Sequence, residues 1–347
     1  MCVHKRSSNM TRISKSNRIL SAIMAVFLVL SLCACASDGV TETEPVTTVP
    51  PAKYSIGVIQ SYDDANSEHT YQGFSSAFRD KGYHQTEFHT MSVVNCKGDK
   101  TKCKEAAERY VSEGVNLIFA IGEPAAVAAV KATKTIPVVF TGVKDPIEAG
   151  LLKSCETPDK NATGVSDLTP VFEQLAFLKE LFPEAKKVSS VHKSTDENSI
   201  LISTLAQSAA ESLELEYSPF TAGSKEQLDS CLENALEDAD VLFLIDDKLT
   251  RENVSKIIKE ANKKKVPVVS SSEALLSSGC LATSVPDYTD MGYNAGELAL
   301  ILIKDLRSVS ELSVEYPKVC VNKINPKVAE VYGINTDTLE NVVAIKN

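Results

Sequence analysis

The chain has 347 residues, of which 43% are hydrophobic and 24% charged, so it is long enough to form two domains with apolar cores. Its net charge is −10, and because residues 1–34 carry five basic and no acidic side chains, the remainder lies near −15. Such an acidic surface repels nucleic acid and anionic lipid head groups, which argues against a nucleic-acid-binding protein.

The first segment has the pattern of a bacterial secretion signal. Basic residues precede an apolar run at 19–32, which is too short to span a bilayer comfortably and suits the core of a signal peptide. The run ends in Leu32-Cys33-Ala34-Cys35, which resembles a bacterial lipobox and implies cleavage before Cys35 and lipidation of its thiol. A plain signal peptide and an uncleaved anchor are the alternatives. We therefore expect a signal peptide at 1–34 and a protein that is extracytoplasmic and lipid-anchored to the cell membrane.

Residues 35–52 are rich in Thr, Glu, Pro and Val without periodicity, which predicts a disordered tether. No second long apolar run follows, so we expect the folded body not to cross the membrane. Six cysteines lie beyond the tether, and an even number outside the cytoplasm permits disulfides. Cys96 and Cys103 are the best candidates for a local pair, although free thiols are an equally good reading in a domain of this size.

From residue 53 onward, short β-branched runs alternate with helical patterns, which predicts parallel sheets covered by helices on both faces. The predicted strands are 54–60, 87–94, 115–121, 136–141, 187–192, 216–220, 241–245, 266–270, 281–285 and 315–322. The predicted helices are 70–81, 103–113, 125–134, 199–213, 224–236, 252–263 and 289–306.

A repeated order of elements indicates two lobes of similar architecture. A buried strand, an acidic loop, a helix and a strand beginning at proline follow one another at 115–139 and again at 240–269. The sequence therefore predicts an α/β protein of two Rossmann-like lobes, with the chain crossing near 165, 281 and 310 to make a multi-strand hinge. The first lobe is assigned to 53–165 plus 281–309 and the second to 166–280 plus 310–347.

In open parallel sheets, ligands bind beyond the carboxyl ends of the strands, so the loops after the strands are the candidate site. The helix start at Glu123-Pro124 offers backbone N–H groups to a carboxylate, although the Glu123 side chain competes with an anion or simply caps the helix. Asp246 suits an ammonium or hydroxyl group; alternatively it caps the next helix while Asp247 faces water. Further polar or aromatic candidates in such loops are Tyr62, Tyr288, Asp287, Ser271, Ser272, Glu273 and 195–199. Thr169 is the predicted N-cap of another helix.

Catalytic signatures are missing from the sequence. There is no GxSxG, P-loop, HExxH or GxGxxG after the first strand, and the five histidines are not spaced as a metal pair. Solvated histidines are the simpler reading. We therefore expect no enzyme activity, no catalytic residue, no metal and no cofactor.

Several segments together resemble a family of ABC-transporter substrate-binding lipoproteins that includes binders of tryptophan, tyrosine and phenylalanine. The segment 136–146 (IPVVFTGVKDP) is similar to the family's IPVVFTAVTDP, and 161–167 (NATGVSD) to its NVTGVSD. Glu197-Asn198-Ser199, the Asp246 loop and Asp287 ahead of Met291-Gly292 also match. The resemblance covers residue 53 to the C-terminus and implies the type I periplasmic-binding-protein fold.

The resemblance also implies a set of cleft residues, which together with Tyr62 form the predicted ligand site. The family often has threonine where this chain has Glu123, and the loop at 61–69 carries extra acidic residues, which would favour a more cationic ligand. The positions that match the family's cleft loops are Glu123, Thr141, Asn198, Asp246, Ser271, Glu273 and Asp287.

We therefore expect an extracytoplasmic solute-binding lipoprotein of an ABC importer. It would be a monomer that closes two lobes over a small polar ligand and delivers it to a permease with its ATPase. The expected ligand is an amino acid, and aromatic amino acids are among the candidates. A binder of a sugar or a nucleobase is the nearest alternative, but sugar clefts usually stack the ring on aromatic side chains, and the chain has no tryptophan and only 6% aromatic residues. A ligand-sensing subunit of a membrane signalling receptor would share the fold.

Overall fold

Two β-sheets, each packed between helices, form the part of the chain that the structure describes. In the computed structural model this part comprises residues 54–85 and 87–345, so the predicted signal peptide, tether and Cys35 lie outside the described residues. The strands are β1 (Tyr54–Gln60), β2 (His89–Asn95), β3 (Leu117–Ile121), β4 (Val138–Thr141), β5 (Ala162–Val165), β6 (Lys187–Lys193), β7 (Glu216–Ala222), β8 (Val241–Leu244), β9 (Val268–Ser270), β10 (Ala282–Pro286), β11 (Cys320–Ile324) and β12 (Val342–Ala344).

The helices follow the strands in alternation, as the sequence pattern predicts. They are α1 (Ala65–Asp80), α2 (Lys100–Glu113), α3 (Glu123–Ala132), α4 (Val171–Leu181), α5 (Glu197–Ser212), α6 (Lys225–Ala235), α7 (Lys248–Glu252), α8 (Val254–Lys264), α9 (Tyr288–Lys304) and α10 (Pro326–Val331). Short 3-10 helices lie at Glu273–Leu275, Val309–Glu311 and Thr336–Thr338.

The first lobe is built on a five-stranded parallel sheet in the order β2-β1-β3-β4-β5. Apolar residues of α2 and α3 cover one face, and those of α1 and α9 cover the other. All residues of β3 are buried, which explains why this strand is continuously apolar in the sequence.

The second lobe contains a seven-stranded sheet in the order β12-β11-β10-β9-β8-β6-β7, in which only the β10–β11 pairing is antiparallel. Helices α4, α5 and α10 pack on one face, and α6 and α8 pack on the other. The predicted α/β fold with two lobes and parallel sheets is therefore confirmed.

Three neighbouring chain segments connect the two sheets. The Ser166 N–H donates to the Glu315 carbonyl at 2.8 Å, and the Glu315 N–H donates to the Gly164 carbonyl at 2.9 Å. The Asp287 N–H donates to the Val319 carbonyl at 2.9 Å. These bonds tie the first and third connections together and the second to the third, so the hinge is a small ribbon of three strands.

Sequence and structure differ most around this hinge. The predicted domain boundary at residue 281 places β10 in the first lobe. This strand pairs with the second sheet instead, and the chain returns to the first lobe only at Asp287. The last crossing was expected near 310 and a strand at 315–322; Glu315 instead pairs with the first lobe, so β11 begins at Cys320. The sequence also missed β5, which precedes the first crossing. The helix start predicted there with Thr169 as N-cap is α4, but Pro170 rather than Thr169 holds the N-cap position.

Close packing of α9 on α1 fixes the start of α9 beside the hinge. A Cβ atom on Gly292 would overlap the carbonyl group of Thr70, so only glycine permits this approach. Helix α1 begins earlier than predicted because Asp64 caps it, accepting from the Ser67 N–H at 2.7 Å. The first residue of α9, Tyr288, is therefore held against the first lobe.

Within residues 54–85 and 87–345, none of the helices combines the length and the apolar character that crossing a bilayer requires.

Candidate functional site

Side chains that follow strands of both sheets meet around Tyr288. Burial, and then the nearby charges of Asp167, Glu273 and Asp64, raise the pKa of the Tyr288 hydroxyl. Asp64 follows β1 and Asp167 follows β5 in the first sheet, while Glu273 follows β9 in the second. The carboxyl ends of both sheets therefore lie near Tyr288 beside the hinge, and the space between them is the candidate cleft.

Backbone hydrogen bonds join the loops at the first lobe's edge in the order of the strands. The Ser61 N–H donates to the Ile121 carbonyl at 2.9 Å, and the Gly122 N–H donates to the Thr141 carbonyl at 2.8 Å. The Asp167 N–H donates to the Val143 carbonyl at 2.9 Å. The loops after β1, β3, β4 and β5 thus form one continuous rim.

Gly122 makes the close contact between the loops after β1 and β3 possible. Its φ is +89°, a conformation that side-chain-bearing residues rarely adopt. A Cβ atom there would lie 2.8 Å from Ser61 Oγ and 3.6 Å from a ring carbon of Tyr62. The Tyr62 side chain, which is 47% exposed, therefore lies beside this turn.

Hydroxyl groups and a helix start supply neutral donors on this rim. The buried Ser61 Oγ accepts from the Ala125 N–H at 3.0 Å, so one of the predicted free N–H groups of α3 is already used and Pro124 has none. Thr141 is 1% exposed, and its hydroxyl has no hydrogen-bond partner among the described residues. The Glu123 N–H and the Thr141 hydroxyl are thus the groups left for a ligand.

The Glu123 side chain is not located beside these donor groups. It is exposed and lines a groove of about 390 Å³ between α2 and α3, with Lys100, Lys104 and Lys131. Its carboxylate is therefore part of the outer surface, where it competes little with an anionic ligand at the helix start.

Asp167 ends the rim with a carboxylate that has no ion pair or hydrogen bond from the residues at 54–85 and 87–345. Its side chain is partly buried, and burial raises its pKa to about 6, an effect that the charge of Lys144 partly offsets. A carboxylate kept without a partner in such a place is energetically unfavourable on its own and suits a cationic ligand group. Asp167 belongs to the NATGVSD segment of the sequence but is not among the predicted site residues.

The second lobe's edge carries charges that already have partners. Asp246 pairs with Arg251 at 2.9 Å, and its side chain is 10% exposed while that of Arg251 is 59% exposed. The Asp246 N–H donates to Ser271 Oγ at 2.9 Å. Glu273 pairs with Lys323 at 2.6 Å. Asp246, Ser271 and Glu273 therefore lie together at this edge, but their polar groups are engaged with one another or with nearby cations.

Two aspartates near the cleft act as helix caps. Asp247 is buried and accepts from the Thr250 N–H at 2.9 Å and the Lys193 N–H at 2.6 Å, so the alternative in which it faces water and Asp246 caps the helix is wrong. Asp287 accepts from the Thr289 N–H at 2.8 Å and the Asp290 N–H at 3.1 Å. Asn198 lies in the first turn of α5, whose residue Ser199 donates to Asp247 at 3.4 Å. A ligand role for Asp287 or Asn198 stays a prediction.

Two histidines differ from the sequence expectation. His89 and His192 are 2% and 3% exposed, so neither is solvated, and burial lowers the pKa of each imidazole. No group of three or more His, Cys, Asp or Glu side chains suited to a metal was found within 54–85 and 87–345.

Comparison with known proteins decides the family. The family model described as ABC transporter substrate binding protein matches residues 55–345. The chain belongs to this family. Substrate-binding proteins bind a small ligand outside the cytoplasm and work with an ABC permease, and they are not enzymes.

Relatives of this substrate-binding protein include proteins that bind amino acids. A tyrosine-binding protein of Clostridioides difficile (strain R20291) is 29% identical over 338 residues, which is 96% of this chain and 98% of that protein. The ligand-free, open structure of a substrate-binding protein with adhesive properties from Clostridium difficile is 27% identical, has a TM-score of 0.74, and covers 85% of this chain and 99% of its own. An ABC domain from Streptococcus pneumonia in complex with L-Trp is 25% identical, has a TM-score of 0.58, and covers 85% and 100%.

Proposed function

We propose that this substrate-binding protein captures an L-amino acid, with tyrosine as the first candidate, and delivers it to an ABC importer. The observation that carries the proposal is the rim of the first lobe, where neutral donors at Glu123 and Thr141 lead to the Asp167 carboxylate, which has no partner among the described residues. The tyrosine-binding relative and the L-Trp complex support this class of ligand.

A zwitterionic amino acid matches the order of groups along this rim. Its carboxylate would accept from the Glu123 N–H and the Thr141 hydroxyl, and its ammonium would pair with Asp167. Thr141 pairs in register with Val165, and Asp167 lies two residues further along the chain, so the two ends lie roughly 8 Å apart, one strand spacing across and two residues along. That distance suits the two charged groups of one α-amino acid.

The ligand's side chain would lie between the lobes, against Tyr62 and Tyr288. Both rings are amphipathic and can pack on an aromatic face while a polar tip reaches water. The extra acids of the first loop do not add a cation site. Asp64 caps α1, and Asp63 pairs with Lys97 at 3.6 Å on the surface. A neutral aromatic side chain is therefore a better match than a basic one.

Lobe closure would bring the second edge onto the bound amino acid. The TM-score is higher to the open, ligand-free relative, at 0.74, than to the L-Trp complex, at 0.58, which supports an open arrangement of the lobes here. A ligand drives closure only if it binds the closed form more tightly, so Asp246, Ser271 and Glu273 would supply the added contacts.

The predicted signal peptide places the protein outside the cytoplasm in this proposal. We infer that the chain is cleaved before Cys35, lipidated on that thiol, and held as a monomer at the membrane near its permease and ATPase. Cys35→Ala should then move the protein from the membrane fraction to the soluble fraction, and retention of the variant at the membrane would contradict the lipid anchor.

The ligand is tested by thermal shift and calorimetry with tyrosine, tryptophan, phenylalanine, lysine, ribose and adenine. An aromatic amino acid present at a hundred times its Kd should stabilise the protein by about 2.7 kcal/mol, which appears as a clear rise in Tm. Tyramine, which lacks the carboxylate, and N-acetyltyrosine, which lacks the ammonium, should each bind far more weakly. A response to ribose or adenine but to no amino acid would overturn the proposal.

Asp167→Asn tests the assignment of the ammonium. The variant should lose most tyrosine binding, while Asp63→Asn, a surface change of the same charge in the neighbouring loop, should keep it. Equal binding by both variants would remove Asp167 from the site.

A further inference from the structure

Two cysteines of the first lobe lie where β2 leads into α2: Cys96 directly follows β2, and Cys103 lies in the first turn of α2. The Asp99 N–H donates to the Cys96 carbonyl at 3.0 Å, and the Cys103 N–H donates to the Asp99 carbonyl at 3.2 Å. These consecutive turns fold the chain back on itself, and both side chains are fully buried in the same apolar cluster. Burial, followed by the adjacent Cys103 thiol, raises the pKa of Cys96 to about 12. The turns and the shared cluster thus place the two thiols, which are free in this structure, on the same side of the first lobe's core.

The other buried cysteines differ from this pair. Cys231 and Cys280 lie in the core of the second lobe, and no second thiol contributes to the raised pKa of either, which is about 11 for Cys231 and about 12 for Cys280. They provide an internal comparison, because they share the burial of the pair but not its proximity.

The turn that carries Cys96 also holds the cleft loop after β1. The Cys96 N–H donates to the Gln60 carbonyl at 2.8 Å, and the Gly98 N–H donates to the Ser61 carbonyl at 2.8 Å. The Asn95 amide group donates to the Tyr62 carbonyl at 3.2 Å. A covalent bond between this turn and α2 would therefore restrain the loop that carries Ser61 and Tyr62.

We propose that Cys96 and Cys103 form a disulfide in the protein outside the cytoplasm and that it braces the first-lobe side of the cleft. The oxidant is a disulfide, supplied by a thiol oxidoreductase or by oxidised glutathione. One cysteine thiolate attacks this disulfide and releases the first thiolate; the second cysteine then attacks the mixed disulfide and releases the other. The two cysteine protons pass to the two thiolates that leave, so the exchange is balanced.

The bond forms during folding rather than afterwards. Burial suppresses the thiolate, which is the reactive form, so the folded reduced pair reacts slowly. Unfolded, reduced protein should therefore oxidise readily when refolded with oxidised and reduced glutathione, whereas folded reduced protein should oxidise only at the rate at which this turn opens.

The test uses the full-length protein isolated from the cell surface, quenched with acid, unfolded and treated with N-ethylmaleimide without reductant. Only four of the six thiols at 96, 103, 155, 231, 280 and 320 should react, and a peptide containing Cys96 should be joined to one containing Cys103. Reduction should add the mass of two hydrogens and lower the Tm by roughly 5 °C. Reaction of all six thiols, or a cross-link to another cysteine, would overturn the proposal.

A double variant distinguishes the effect of this disulfide from other effects of the reductant. Cys96→Ala/Cys103→Ala should show no redox-dependent change in Tm, while Cys231→Ala should keep the full change. If the double variant does not fold, hydrogen exchange of the native protein replaces it. Reduction should then speed exchange at 60–63 and 95–99 but leave 246–250 unchanged, and an equal effect at both places would count against a local brace.

Discussion

The two edges of the cleft present different kinds of polar groups to a ligand. The first lobe presents hydroxyl and backbone groups fixed by tight packing between loops, with Gly122 in contact distance of Ser61. The second lobe presents carboxylates that already have partners, as in the pair between Asp246 and Arg251 at 2.9 Å. Asp167, at the hinge between them, is a carboxylate for which the described residues supply no ion pair or side-chain hydrogen bond.

This difference separates two roles in binding. Neutral donors cost less to bury without a partner than a charge does, so they can remain available for a ligand without a counter-charge. At the other edge the charged groups already have partners. They therefore change the affinity for a ligand only modestly when the lobes close. We expect changes at the first edge to have larger effects than changes at the second.

The largest effect is expected from Gly122→Ala, which breaks the packed edge. The added methyl group would both strain a φ of +89° and press on Ser61 Oγ at 2.8 Å. With a ψ of +153°, this backbone conformation is essentially restricted to glycine and costs another residue roughly 1–3 kcal/mol, and the overlap costs roughly 1–3 kcal/mol more. Denaturant unfolding should report the sum, and tyrosine binding should be lost because the loops after β1 and β3 separate.

Gly82→Ala is the matched control for this change. Gly82 has a φ of +82°, but no atom lies within 4 Å of the position a Cβ would take. The Gly82→Ala variant should therefore lose stability through backbone strain alone and keep ligand binding. If Gly122→Ala and Gly82→Ala cost the same and both bind tyrosine, the contact between the two loops has no role in the site.

Much of the fold follows from the sequence because most elements carry their own local signals. The bounds of β1 were predicted residue for residue, since an apolar β-branched run begins after the polar tether and ends at a loop. The missed strand β5 is only four residues long, and its identity depends on pairing with β4 and on the hinge. Such short elements are defined by tertiary contacts and leave little periodicity to read.

The site was predicted less completely, for a physical reason. Position after a strand indicates which residues can reach the cleft, and Asp246, Ser271 and Glu273, which were selected in this way, lie at one edge. It does not tell which carboxylate is already paired, because Arg251 and Lys323 lie on other elements. Asp167 was overlooked since its strand was not recognised; its place two residues after β5 is the signal that would have found it.

The next largest effect is the pH dependence of Asp167. Its pKa is raised to about 6 in the folded protein from an ordinary 3.8, so the folded state binds a proton before the unfolded chain does. Lowering the pH from 7 to 5 should therefore stabilise the wild-type protein, relative to Asp167→Asn, by about 1 kcal/mol. Denaturant unfolding of the two proteins at each pH measures the difference.

Ligand affinity should change in the opposite direction over the same range. The ammonium of the amino acid pairs with the ionised carboxylate, which falls to about one tenth of the molecules at pH 5, so affinity should drop roughly tenfold. Calorimetry of tyrosine at pH 7, 6 and 5 tests this. An affinity that does not vary, or a residual affinity of Asp167→Asn with the wild-type pH profile, would show that another group takes the ammonium.

The smallest effect is expected from Arg251→Gln at the charged edge. The Arg251 side chain is 59% exposed, and half-exposed ion pairs contribute little because water and salt screen them. The Asp246 carboxylate would lose its partner, while the Asp246 N–H keeps its bond to Ser271. Lobe closure should therefore weaken, and tyrosine affinity should fall about threefold at low salt and less at high salt. Lys248→Gln removes the same charge from the same short helix, where Lys248 pairs only with Glu252 at 4.0 Å, and it should leave affinity unchanged. Equal losses in the two variants would mean that net charge alone matters and that the Asp246–Arg251 pair is not part of the closing edge.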